Sequence, residues 1–95
     1  MRKVIYKYQI PAFPFWGYTQ MLPCFSKILK VDAQGDQIMI WVEQNADEKQ
    51  LVARRFDVVG TGQLFEPFQG ERLTYLGTVL INGGELVRHL YERET

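Results

Sequence analysis

Two apolar runs separated by Asn82-Gly83-Gly84 constrain this chain more than any other feature. The run before the turn is Tyr75, Leu76, Gly77, Thr78, Val79, Leu80, Ile81, and the run after it is Glu85, Leu86, Val87, Arg88, His89, Leu90, Tyr91. Asn-Gly favours positive φ at both central positions of a tight turn, whose twist matches that of the flanking strands. The spacing therefore predicts a terminal hairpin, with strands over residues 73–81 and 85–91. Leu86, Val87, Leu90 and Tyr91 also fit helical spacing, but the short turn and the strand pattern before it favour the hairpin.

The same pattern recurs upstream. Residues 3–10 alternate, with Val4, Tyr6, Tyr8 and Ile10 on one face, and Pro11 closes the run by removing a donor. Residues 19–22 form a short strand before Pro23, and residues 25–33 a less regular one. Gln34-Gly35-Asp36 marks a turn into residues 37–43, where Ile38, Ile40 and Val42 share one face and Met39 and Trp41 the other. Apolar residues on both faces predict a central strand covered on both sides. After a polar loop at residues 45–49, residues 50–59 read as a strand with Val52, Phe56 and Val58 in one register. Arg54, Arg55 and Asp57 are expected near its solvated surfaces. Residues 63–72 read as an irregular connection with its own apolar-aromatic core of Leu64, Phe65 and Phe68, and residues 92–95 as a charged, frayed end. The expected fold is a single all-β domain of about six or seven antiparallel strands, as a compact barrel or sandwich.

A chain of 95 residues suits one core. Eleven Lys and Arg balance eleven Asp and Glu. That balance argues against nucleic acid, whose binding rests on clustered cations, and it favours protein contact or self-association. The start of the chain lacks the apolar core of a signal peptide, and no apolar run has membrane-spanning length, so a cytoplasmic location is expected. Cys24 is the single cysteine and His89 the single histidine, too few to anchor a metal site, and no cofactor is expected. No nucleophile, base and orienting group stand in a recognisable pattern, so an enzyme is not expected.

Two segments remain as candidate sites. Residues 11–18 hold Phe13, Phe15, Trp16 and Tyr18 between two prolines, which excludes a helix and a central strand. Exposed aromatics of this kind mark contact surfaces; folded back, they would cap the core. A single-stranded nucleic acid could instead stack on these rings with help from Lys3, Lys7 and Lys27. The second segment, Gly60-Thr61-Gly62, breaks a strand and offers backbone amides that, with His89, could hold a nucleotide or another small anion. It lacks the downstream Gly-Lys-Ser/Thr of a Walker loop, and no helix pattern follows it.

The order of elements resembles a family of short uncharacterised proteins encoded by bacteriophages and prophages. The resemblance rests on Lys3 to Ile10, Leu22-Pro23, Trp41, Gly60 to Gly62, Gly77-Thr78, and Val87, His89, Leu90 and Glu92. The aromatic stretch at residues 11–18 is longer than that pattern. What the resemblance implies is a phage context in a bacterial host, without a mechanism.

Overall fold

A computed structural model describes residues 1–94. They form seven strands: β1 (Lys3–Ile10), β2 (Phe15–Pro23), β3 (Lys27–Gln34), β4 (Gln37–Asn45), β5 (Leu51–Gly60), β6 (Arg72–Ile81) and β7 (Leu86–Glu94). Two antiparallel sheets face each other as a sandwich. One has the order β1-β4-β3 and the other β2-β5-β7-β6. The barrel alternative does not apply, because the described strands fall into two separate sheets.

Alternation builds the core. Ile10 on β1 and Ile38, Ile40 and Val42 on β4 meet Leu22, Phe56, Val58, Val79, Ile81 and Leu90 from the other sheet. All ten are essentially inaccessible, and burying each such side chain favours folding by roughly 1.5–3 kcal/mol. The sheets approach most closely where β3 lies against β6. A Cβ added at Gly77 would come within 3.3 Å of Val31 Cβ.

The terminal hairpin forms as its sequence predicts. Ile81 pairs with Leu86, and Asn82, Gly83 and Gly84 all take positive φ in the loop between them. At the β3–β4 turn, Gln34 pairs with Gln37, and Gly35 supplies the positive φ (64°) that such a two-residue loop requires.

Several expectations need correction. β4 is central in its sheet, but only its inner face is covered by a second layer; Met39 and Trp41 lie on the outer face. The stretch at residues 11–18 is not all loop, since β2 begins at Phe15 and tolerates its surroundings by being an edge strand. β3 begins at Lys27, because Phe25 turns the chain at φ 66° and is 95% exposed. Val52, at the start of β5, keeps the register of Phe56 and Val58 but is 37% exposed. The end of the chain is not frayed at Glu92 and Arg93, which are buried within β7; Thr95 lies outside the described residues.

Among the described residues, three strands carry a bulge. Extra residues fall between Phe15 and Tyr18 on β2, between Ile28 and Lys30 on β3, and between Tyr75 and Gly77 on β6. All three are edge strands. The fourth edge, β1, pairs with β4 in unbroken register from Lys3 to Ile10.

Charge is divided between the sheets. Four of the five lysines, Lys3, Lys7, Lys27 and Lys30, share the outer face of the β1-β4-β3 sheet around Trp41, and the Lys30 ammonium lies 5.6 Å from the Trp41 ring centroid. Five of the six arginines lie on β5, β6 and β7.

Candidate functional site

The β2 bulge creates the most elaborate site. Phe15 pairs with Val58 and Tyr18 with Phe56, so Trp16 and Gly17 together oppose Asp57. Gly17 takes φ 72°, a left-handed conformation that glycine adopts without a Cβ clash. Its amide donates to Asp57 Oδ1 at 2.7 Å.

Asp57 was expected near solvent. It is fully buried on the outer face of its sheet, gripped by both Arg93 Nε (3.2 Å to Oδ1) and Arg93 Nη2. The third guanidinium nitrogen, Nη1, donates to Glu71 Oε1 at 2.9 Å, and Arg55 Nη2 donates to Glu71 Oε2 at 2.5 Å. Two arginines and two carboxylates thus form a closed neutral chain. Hydrogen bonding to Asp57 holds the Arg93 guanidinium even further above neutrality than usual. Hydrogen bonding from Arg93 first, and from Arg55 second, holds the Glu71 carboxyl below its ordinary value against the opposing effect of desolvation. Such a buried network persists only when its members are mutually satisfied. Among the described residues, no buried side-chain nitrogen or oxygen lacks a partner.

Aromatic rings roof this network. Phe68 lies 4.0 Å from the Arg93 guanidinium carbon and Trp16 lies 5.7 Å from it on ring centroids. Phe65 packs 5.1 Å from Tyr91, which in turn lies 5.4 Å from Tyr75. Leu64, Phe65 and Phe68 do not form a core of their own, contrary to expectation: Leu64 is 94% exposed and Phe68 59%. Together with Trp16 and Glu66 they line an open, mostly apolar groove of about 680 Å³.

The four aromatics singled out in the sequence therefore separate. Trp16 joins the groove. Phe13, Phe15 and Tyr18 stack edge to face, with centroids 6.0 and 6.3 Å apart, and Tyr18 packs against the core. Phe13 and Tyr18 also border a second hollow of about 520 Å³ with Gln9, Pro11, Ala12, Asp36 and Gln37. Trp16 lies on the opposite face of the sandwich from Lys3, Lys7 and Lys27, so the structure does not bring that ring and those cations together.

The second candidate set does assemble. Thr61 Oγ1 lies 2.8 Å from His89 Nε2, and Thr78 Oγ1 lies 2.9 Å from His89 Nδ1. Tyr75 Oη continues the chain to Thr78 at 2.5 Å. Both ring nitrogens are thereby engaged by hydroxyls, which can donate or accept as the imidazole requires. Gly60 and Gly62 shape the adjoining turn, where the Gly60 amide donates to Gln63 Oε1 at 2.8 Å and the Gln63 amide donates to the Gly60 carbonyl at 3.1 Å. Sequence reasoning missed Arg88 beside this turn. Its Nε donates to the Ala12 carbonyl and its Nη1 to the Val87 carbonyl, and it has no carboxylate partner among the described residues. Its pairing with Gly60 across β5 and β7 was the available signal, invisible until the strands are matched.

The family described as "Domain of unknown function (DUF7352)" matches residues 1–95. The chain belongs to that family. The DUF7352 match spans the bulge, the ion network and the Thr61–His89 cluster alike. No curated protein matches the chain, and no solved structure matches it. Among the described residues, no helix is long and apolar enough to cross a membrane.

Proposed function

We propose that this DUF7352 chain is a small non-enzymatic binding module that acts through protein contact at the Trp16 groove. One observation carries the reading: exposed Trp16, Leu64, Phe65 and Phe68 are held over a buried, fully paired ion network rather than packed into the core. Trp and Phe are large, rigid anchors that dominate interface energetics. The network beneath fixes their platform and has no free group to offer a substrate. The motif order in the chain supports placing the module among phage and prophage accessory proteins, working in the cytoplasm of a bacterial host.

The test is a pull-down from host lysate with the parent and with the Trp16→Ala/Leu64→Ala variant. Circular dichroism should show the variant folded, and the partners of the parent should be lost. A folded variant that keeps every partner overturns the groove as the interface.

A second reading is a site for a nucleotide or other small anion at the turn of Gly60, Thr61 and Gly62. Arg88, lacking a carboxylate partner among the described residues, and the adjacent Thr61–His89 pair favour it. Bound ligand at a hundred times its dissociation constant would add about 2.7 kcal/mol of stability. A flat melting temperature across a panel of nucleotides and inorganic phosphate removes this reading.

A further inference from the structure

The four sheet edges are not equivalent. Among the described residues, β2, β3 and β6 are each interrupted by a bulge, which disrupts the ladder and twists an edge away from further pairing. β1 is unbroken over eight residues. The direction of its free groups follows from its pairing. The Ala46 amide donates to the Arg2 carbonyl at 2.9 Å, one step beyond the Lys3–Asn45 pair. Alternation then turns the backbone groups of Val4, Tyr6, Tyr8 and Ile10 towards β4, and those of Lys3, Ile5, Lys7 and Gln9 outward. Ile5 and Tyr6, on opposite faces of the strand, are each 54% exposed.

We propose that β1 accepts an extended acidic segment of a partner protein as an added strand. Lys3 and Lys7 flank Ile5 on the outer face, and residues 1–10 contain no acidic side chain; Glu43, opposite Ile5 on β4, lies 3.7 Å from the half-exposed Lys3, while Lys7 has no ion-pair partner among the described residues. An incoming strand with Asp or Glu at two positions four residues apart, and an apolar residue midway, meets all three at once. Backbone hydrogen bonds supply affinity, and the alternate side chains supply selectivity. A second copy of β1 is a poorer occupant. Antiparallel pairing centred on Ile5 sets Lys3 against Lys7 twice, and pairing centred on Tyr6 sets Lys7 against Ile5 and Lys3 against Gln9, with no carboxylate on either paired strand. The Trp16 groove lies on the other sheet, so this edge and that groove stand or fall separately.

The probe is a fluorescein-labelled eight-residue peptide alternating Thr and Val, with two of the Val positions, four apart, replaced by Glu so that the residue midway between them is Val. Anisotropy at low salt should show saturable binding to the full chain, weakened at least tenfold when the two Glu become Lys. Ile5→Pro removes one outward amide without touching the β1–β4 ladder, a position where edge strands tolerate proline. It should weaken binding at least fivefold while circular dichroism stays that of the parent. If Ile5→Pro does not fold, N-methylation of alternate peptide amides makes the same test from the ligand side. The Lys3→Glu/Lys7→Glu variant should prefer the Lys peptide. No binding at low salt, equal binding of both peptides, or undiminished binding to folded Ile5→Pro overturns the proposal. A parent dimer in sedimentation that Ile5→Pro dissociates also overturns it, in favour of a second copy.

Discussion

Arg93 and Asp57 face each other from β7 and β5 with 1% and 0% of their side-chain surface exposed. They lie 36 residues apart in sequence, and the Gly17 amide from a third strand completes the carboxylate's bonding. Removing one partner strands a charge at a site closed to solvent. Asp57→Ala should therefore cost about 3–5 kcal/mol in urea unfolding, whereas Asp57→Leu combined with Arg93→Met should cost much less than the two single changes added together. Additive losses would show that the two groups are not energetically coupled.

Gly17 has two tasks, the left-handed turn of the bulge and the amide that reaches Asp57. No atom crowds a Cβ added there, so the penalty of Gly17→Ala is conformational. It should destabilise the protein by about 1–2 kcal/mol. Because the bulge aims Trp16 at the groove, the tryptophan emission maximum should shift as well. An unchanged stability and spectrum would mean that the bulge does not depend on glycine.

Acid should weaken the same network. The Glu71 carboxyl is held below its ordinary value of 4.5 by Arg93 and Arg55. The unfolded chain therefore binds a proton there before the folded one does. The stabilisation is complete above about pH 5 and declines as pH falls through 4.5 towards the lower folded value. Glu94, lowered first by Thr74 and then by Arg72, acts in the same direction. Urea titrations across this range should show a shallower decline for Glu71→Gln than for the parent; parallel curves would remove Glu71 from the account.

Gly77 marks the closest approach of the two sheets, 3.3 Å from an added Cβ to Val31. Gly77→Val should overpack this contact and cost about 1–3 kcal/mol in thermal or urea unfolding. Val31→Ala in the same chain should return part of the loss. If it returns none, the penalty lies in the β6 backbone and not between the sheets.

The legible parts of this fold are local. Asn82-Gly83 announced its hairpin because turn chemistry is written in adjacent residues, and Ile38, Ile40 and Val42 announced a strand with one buried face through simple alternation. Arg93 was read as part of a frayed end because a charged residue near a terminus looks solvated until its partner is known. Asp57 misled for the same reason: nothing in residues 50–59 says that Gly17 and Arg93 will arrive from β2 and β7. The prolines around Phe13 concealed the start of β2, since they exclude a central strand but not an edge. The structure brings Thr61 of the Gly60–Gly62 turn against His89, whereas it divides the four aromatics of residues 11–18 between the groove and the core side of β2. A bulge changes which neighbours share a face: the extra residue puts Tyr18 on the same side as Phe15 and separates it from Trp16, which simple alternation would have set beside it.

The uneven borders of the two sheets limit what this protein can build. If β1 is the one edge that accepts a strand, as proposed, the protein joins a single neighbour through its ladder and offers no second edge of that kind. Such a unit closes a pair or caps the end of something longer, and it cannot seed a growing fibre by the same contact.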